Sequence, residues 1–228
     1  MNTFLLKPHH FVRLALLLIC LSFIHTSPVH AETKQPSSGH KEQQSNKILI
    51  VGDSLSSEYG IERNTGWVQR LRARLALEKY DASVVNASIS GDTTSGGLTR
   101  LPNLLKTIQP TVVLIELGGN DALRGLSLKV SELNLLKMIK MTQASGAKVV
   151  VAGMQIPPNY GEQYTNQFKK MYQTITEQTN SLLIPFFLAG LETRSDLFIS
   201  DNIHPNEAAQ DIILNNVWPV LVQSLTRP

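Results

Sequence analysis

Four short segments of this chain gather the residue types that acyl transfer requires. Gly52-Asp53-Ser54-Leu55 offers a hydroxyl. Asn86-Ala87-Ser88-Ile89-Ser90-Gly91-Asp92 and Gly118-Gly119-Asn120-Asp121 offer amides among small residues, and Asp201-Asn202-Ile203-His204-Pro205 places an imidazole three residues after a carboxylate. A serine hydroxyl is a poor nucleophile at neutral pH unless a base takes its proton. Of the six histidines, His9, His10, His25 and His30 lie near the N-terminus and His40 lies in a polar stretch, so His204 is the only imidazole the folded domain owns. A turn can bring the Asp201 carboxylate to Nδ1 of His204, fixing the tautomer and stabilising the imidazolium that forms. Ser54, His204 and Asp201 are therefore the expected catalytic triad. The backbone N–H groups of Ser54 and Gly91 and the side-chain amide of Asn120 are the expected donors to the oxyanion.

Taken singly, each segment has an ordinary structural reading. Ser54 after Gly-Asp suits a helix N-cap, Gly91 and Gly118-Gly119 suit turns, and Asn120 and Asp121 suit the cap of a following segment. All four in one chain are harder to explain that way. Asp53, Asp121 and Arg124 are read as residues that brace the loops. Pro205 suits the first position of the last helix, which would put His204 at a helix N-terminus, where the dipole disfavours imidazolium while Asp201 favours it.

The elements that must position these segments follow from hydrophobic periodicity. Short apolar, β-branched runs at Ile48 to Val51, Ser83 to Val85, Val112 to Leu117, Lys148 to Ala152 and Leu182 to Ile184 predict five strands. Between them lie helical patterns. Trp67, Val68, Leu71 and Leu75 predict one buried face, and Val130, Leu133, Leu136 and Ile139, broadened by Met138, predict another. A last helix from about Asn206 to Leu225 is expected to bury Ala209, Ile212, Ile213 and Val217, with Pro219 kinking it or ending its regular part. Strands alternating with helices imply one α/β domain whose mostly parallel sheet is covered on both faces. In such sheets the chemistry collects in loops beyond the carboxyl ends of the strands, and the first three segments follow the first three strands.

The N-terminus reads differently. An 11-residue apolar run from Leu14 to Ile24 follows Lys7 and Arg13 and precedes Val29-His30-Ala31, the pattern of a secretory signal peptide. That run is well short of the roughly 20 residues of a membrane-spanning helix, so no stable membrane span is expected once it is removed. Cleavage after Ala31 removes the single cysteine, Cys20, and lowers the formal charge from 21 − 18 = +3 to 19 − 18 = +1. No thiol nucleophile, disulfide or Cys-ligated zinc remains, and histidine poverty argues against a multi-histidine metal site. No metal or organic cofactor is expected. Without a Lys/Arg block, nucleic acid is not an expected partner. Residues 32–46, with no large apolar side chain, read as a flexible leader, so the organisation is 1–31 signal peptide, 32–46 leader and 47–228 catalytic domain, in the periplasm or secreted.

In their order and spacing, Gly52-Asp53-Ser54-Leu55, Gly91, Gly118-x-Asn120-Asp121 and Asp201-x-x-His204 resemble the four sequence blocks of the SGNH (GDSL) hydrolases. Asn86 to Thr93, Leu117 to Gly125 and Pro158-Asn159-Tyr160-Gly161 look like the periplasmic group of multifunctional thioesterases, lysophospholipases and arylesterases. The resemblance covers nearly the whole domain. It implies a flavodoxin-like three-layer α/β/α sandwich, Ser54 as nucleophile, Asp201 and His204 completing the triad, Gly91 and Asn120 as oxyanion donors, and a small-molecule acyl ester or thioester as substrate. It also implies that the loop from Asp121 to Leu126 is mobile and helps to hold an acyl chain, with Leu123 and Leu126 as candidate contacts; the alternative is that both leucines pack in the core. Asn202 stands where close relatives look to have Gly, and Asn tolerates the positive φ such a turn needs.

The α/β-hydrolase fold fits less well, because the segment after the first strand lacks the closing glycine of Gly-x-Ser-x-Gly. Two other readings of the same residues are a non-catalytic acyl- or lipid-binding protein and a carbohydrate O-acetylesterase.

Overall fold

The computed structural model describes residues 45–227. The proposed signal peptide, almost all of the leader, and His40 lie outside them. Five parallel strands, β1 (Asn46–Gly52), β2 (Ala82–Asn86), β3 (Val112–Glu116), β4 (Lys148–Ala152) and β5 (Leu182–Ile184), form one sheet in the order β2-β1-β3-β4-β5. Among the described residues there are six α-helices: α1 (Trp67–Leu77), α2 (Thr94–Ile108), α3 (Gly119–Leu123), α4 (Leu128–Ala144), α5 (Glu162–Thr179) and α6 (Gln210–Leu221). Helices α1 and α6 pack together on one face of the sheet, and α2, α4 and α5 pack side by side on the other. This is the expected three-layer α/β/α sandwich.

The central strands explain themselves. Ile48 to Val51 and Val112 to Ile115 are covered on both faces and almost wholly inaccessible, so they carry continuous apolar runs instead of alternating ones. The chain leaves β1 for one side of the sheet and β3 for the other. That reversal opens a crevice between the carboxyl ends of β1 and β3, into which Gly52-Asp53-Ser54 and Gly118-Gly119-Asn120 both feed. The strand begins at Asn46, inside the expected leader. The Asn46 side chain is buried because it exchanges two hydrogen bonds with the backbone of Thr226, at 2.9 and 2.8 Å, tying the first strand to the chain end.

Helix α1 buries Trp67, Val68, Leu71 and Leu75 as predicted. Helix α4 does not follow its prediction. Val130 and Leu133 are 54% and 44% exposed, and the buried face is Ser131, Leu135, Met138, Ile139 and Thr142. A strict three-residue repeat drifts about 60° per step around a helix of 3.6 residues per turn, so Val130 and Ile139 lie on opposite sides. The true seam contains two hydroxyls that a hydrophobic pattern passes over. The last helix also differs. Its chain enters through a 3₁₀ turn at Glu207–Ala209, and α6 buries Ile213, Leu214, Val217, Trp218 and Leu221 while Ile212 is half-buried. Pro219 lies within α6, which tightens into a 3₁₀ turn after Leu221.

Candidate active site

Ser54 lies two residues past the buried end of β1 and is only 8% exposed. Beyond β1 the chain folds into a tight turn: the N–H groups of Ser56 and Ser57 donate to the Asp53 carbonyl, and that of Tyr59 to the Ser54 carbonyl. The Asp53 carboxylate accepts from the Leu55 N–H at 3.1 Å, closing the turn from its side chain. Gly52 is required by close approach: a Cβ there would stand 2.6 Å from Glu116 Oε2 and 2.9 Å from Ser56 Oγ.

His204 reaches the same crevice from the loop before α6. A bridge between Phe198 and Pro205, and the Ile199 N–H donating to the His204 carbonyl at 2.9 Å, make this loop a closed hairpin-like turn. Asn202 turns it with φ +57°, the left-handed conformation that Asn was expected to tolerate there. Asp201 Oδ1 accepts the N–H groups of Ile203 (2.9 Å) and His204 (3.0 Å), and Oδ2 lies 2.6 Å from His204 Nδ1. Across the crevice, His204 Nε2 lies 2.9 Å from Ser54 Oγ. A carboxylate on Nδ1 holds the ring's proton there and leaves the Nε2 lone pair facing the Ser54 hydroxyl. Partial burial works against ionisation of Asp201, but the hydrogen bonds from His204 and Ile203 outweigh it and bring its pKa down to about 2. It is a carboxylate at any pH near neutral.

Pro205 does not open the last helix. Asn206 is the N-cap of the entering 3₁₀ turn, its side chain accepting from the Ala208 N–H, so His204 lies two residues ahead of the cap. Its own N–H and carbonyl are spent within the Asp201 loop, and the expected helix-dipole influence has no first turn to act through. The buried Gln210 anchors this region: its Nε2 donates to the carbonyls of Pro205 and Asn206, and its Oε1 accepts the Trp67 N–H at 3.0 Å. The start of α1 and the histidine loop are thus held together.

The loop after β2 is stitched to the Ser54 loop. Gly52 N–H donates to Ser88 Oγ at 3.1 Å, Ile89 N–H to the Gly52 carbonyl at 3.1 Å, and Asn86 Nδ2 to the Ser56 carbonyl at 2.7 Å. Arg100 pairs with Asp92 at 2.8 Å and donates to the Ala87 carbonyl. Gly91, at φ +76°, turns this loop, and its carbonyl accepts from Arg124 Nη2 at 3.0 Å. Arg124 thus does brace a loop.

Asn120 lies in the first turn of α3 and donates from Nδ2 to Asp53 Oδ2 at 2.9 Å. Its neighbour Asp121 is buried and accepts from the Thr94 N–H (2.9 Å), Thr94 Oγ1 (2.5 Å) and Ser131 Oγ (3.0 Å), tying α3 to the starts of α2 and α4. We expect Asp121→Ala to strand these buried donors and cost about 3 kcal/mol of stability. A lowered urea midpoint with an unchanged slope would record it. In the loop that follows, Leu123 is half-buried against the core while Leu126 is exposed. Tyr160 and Tyr164 donate their hydroxyls to the carbonyls of Leu123 and Leu126.

Two groups beside the site escaped the sequence reading. The exposed Tyr59 ring lies 4.5 Å from the His204 ring, tilted by 48°. Glu116, at the end of β3, is wholly buried: its Oε2 accepts from Ser56 Oγ (2.8 Å) and the Asp53 N–H (3.2 Å), and its Oε1 receives no donor. The signal for Glu116 was available, as one acid at the end of an otherwise apolar run. Burial and the adjacent Asp53 carboxylate push the Glu116 carboxyl well above its usual range, and burial raises Asp53 to about 6 despite hydrogen bonds from Leu55 and Asn120. Near pH 7 the pair therefore keeps its proton on Glu116 and its charge on Asp53.

That burial makes stability depend on pH. Both folded pKa values lie above the unfolded ones near about 4, so stability from this pair is full below pH 4 and declines as pH rises through the raised values. Glu116→Gln removes one such titration. Its melting temperature is expected to gain on wild type progressively above pH 4, and a difference independent of pH would contradict this.

Among the described residues, no group of three or more His, Cys, Asp or Glu side chains is placed to hold a metal ion, and no helix is long and apolar enough to cross a membrane. Comparison with known proteins puts the geometry in context. A model of the GDSL-like Lipase/Acylhydrolase family matches residues 50–212. The chain is 49% identical to Esterase TesA of Pseudomonas aeruginosa, over 76% of this chain and 87% of that one. It is 39% identical to Thioesterase 1/protease 1/lysophospholipase L1 of Escherichia coli K12, over 73% and 78%. The crystal structure of psychrotrophic esterase EstA from Pseudoalteromonas sp., inhibited by monoethylphosphonate, superposes with a TM-score of 0.74 at 42% identity, covering 78% of this chain and 97% of that one.

Proposed function

The chain belongs to the GDSL-like lipase/acylhydrolase family, and on that premise we propose that it cleaves acyl esters and thioesters through a covalent acyl-enzyme on Ser54. It is a hydrolase acting on ester bonds. The observation that carries the assignment of roles is the line of contacts Asp201–His204–Ser54, at 2.6 and 2.9 Å, with Nε2 facing the hydroxyl.

In this reading Ser54 Oγ attacks the carbonyl carbon as its proton passes to His204 Nε2, and the carbonyl π pair moves onto oxygen. The N–H groups of Ser54 and Gly91 and the Asn120 amide receive the oxyanion. The imidazolium, paired with Asp201, then gives its proton to the departing alkoxide or thiolate as the C–O or C–S bond breaks. Water repeats the sequence on the acyl-enzyme, His204 taking its proton, and releases a carboxylic acid with Ser54 restored.

The loops on this edge favour an acyl chain over a sugar. Tyr59, Ile89, Leu126 and Ile203, all exposed, lie in segments that also carry Ser54, Gly91, Asn120 and His204. Leu126, and Leu123 behind it, are the side chains we assign to acyl contact. The test is a panel of acetyl to dodecanoyl esters, acyl thioesters and acetylated sugars with purified protein. The reading requires kcat/KM to rise from acetyl to medium chains, and Leu126→Ser to raise KM for the longer ones. A preference for acetylated sugars would support the O-acetylesterase, and binding without turnover the acyl carrier.

The reading of residues 1–31 as a signal peptide adds export to the periplasm or medium. Exported protein is expected to begin at Glu32 by N-terminal sequencing; an intact N-terminus would contradict export by this route.

A further inference from the structure

Behind the candidate nucleophile lies a buried polar network that the mechanism above does not use. It runs from the Trp67 indole, whose Nε1–H donates to Ser56 Oγ at 3.3 Å, through Ser56 Oγ–H to Glu116 Oε2 at 2.8 Å. The same oxygen accepts the Asp53 N–H at 3.2 Å, and Asp53 Oδ2 accepts the Asn120 amide at 2.9 Å. Trp67, Ser56, Glu116 and Asp53 are each at most 2% exposed. We propose that Glu116 is a positioning residue for catalysis: from the end of β3 it fixes the backbone on both sides of Ser54 and, through Asp53, the direction of the Asn120 amide.

Three features support a positioning role over simple filling of space. First, Glu116 grips residue 53 through its backbone and residue 56 through its side chain, so the Ser54 turn is held from beneath at both ends. Second, Gly52 leaves the space this contact needs, since a Cβ there would stand 2.6 Å from Glu116 Oε2. Third, Glu116 Oε1 has no donor directed at it although it is buried. A carboxylate oxygen left so would be costly, whereas a carboxylic acid can carry its proton, and the Glu116 side chain shares a hydrogen bond with the Asp53 carboxylate. The acidic proton then supports the charge on Asp53, and Asp53 in turn holds one N–H of Asn120, leaving the other for the oxyanion. Glu116 touches no substrate in this arrangement; it acts through the Ser54 turn and, by way of Asp53, through Asn120.

The inference rests on the proposed roles of Ser54 and Asn120, and its test separates the two. Glu116→Leu keeps the volume but removes every polar contact; Glu116→Gln keeps an acceptor for Ser56 and Asp53 and a donor for the Asp53 carboxylate. Expected at pH 7 with a short acyl ester are a kcat at least 10-fold lower for Glu116→Leu with KM little changed, and a kcat within about 3-fold of wild type for Glu116→Gln. Combined with Asn120→Ala, the Leu substitution should cost clearly less than it does in the wild-type background, because the part it exerts through the Asn120 amide is already lost; general damage would multiply.

Full activity of Glu116→Leu, or a multiplicative double variant, overturns the proposal. Equal loss in Glu116→Gln and Glu116→Leu overturns the role assigned to the acid proton. Should Glu116→Leu fail to fold by circular dichroism, Asp53→Asn takes its place in the same cycle and must show the same non-additive loss of kcat. Ser54→Ala run alongside keeps the outcomes distinct: if it retains activity, the catalytic reading itself falls, whatever Glu116 does.

Discussion

Replacing Ser54 by alanine is expected to lower kcat by about 10⁴- to 10⁶-fold while leaving the fold intact. The size follows from the role. Without Oγ no acyl-enzyme forms, and the residual rate is what oxyanion donors and binding alone sustain, as removal of a nucleophile from other serine hydrolases illustrates. Stability should change little, because among the described residues the only side-chain partner of the Ser54 hydroxyl is His204 Nε2 at 2.9 Å. A stopped-flow assay with an activated ester checks this in two ways. Wild type should release leaving group in a burst of about one equivalent if deacylation is slower than acylation, and Ser54→Ala should show neither burst nor turnover. Turnover near the wild-type rate would remove Ser54 from the chemistry.

The second large effect is expected at Asn120. Loss of one oxyanion donor typically costs about 10²- to 10³-fold in kcat, and Asn120→Ala should fall in that range with KM little changed, since the donor serves the transition state more than the ground state. The structure adds a consequence absent from the residue types alone. Asn120 is also a partner of the buried Asp53 carboxylate at 2.9 Å. Its loss strips a hydrogen bond that favours ionised Asp53, so the Asp53 pKa, already at about 6, should rise further. The variant should therefore lose stability toward alkaline pH more steeply than wild type. Steady-state kinetics and melting curves across pH measure both effects, and full retention of kcat would exclude Asn120 from the oxyanion site.

The central strands β1, β3 and β4 were legible because burial on both faces writes itself as unbroken apolar runs, the half-buried β2 and β5 showed as shorter apolar runs, and no observed end differs from the predicted one by more than two residues. The Ser54–His204–Asp201 constellation was legible for a different reason: scarcity. With one histidine in the folded domain, the proposed base had no rival, and a carboxylate three residues before it needed only a turn. What stayed hidden was polarity in buried places. Ser131 and Thr142 face inward from α4, and Ser131 does so because Asp121 needs its hydroxyl; hydrophobic periodicity has no symbol for such a residue, so the face was drawn through exposed Val130 and Leu133. Glu116 was visible as one acid near the end of an apolar run but its partners were not, because the Asp53 N–H and Ser56 hydroxyl converge on it only in the folded chain. Tyr59 meets His204 only through the tertiary fold, and nothing in a spacing of 145 residues announces it.

The central claim is that Ser54 and His204 act as one unit across the crevice. Treatment with an activated alkyl phosphonate ester, followed by intact mass and peptide mapping, tests it most directly. The account predicts one phosphonyl adduct per chain, located on Ser54, forming far more slowly in His204→Ala and not at all in Ser54→Ala. An adduct on any other residue, or equal labelling of Ser54→Ala, would contradict it.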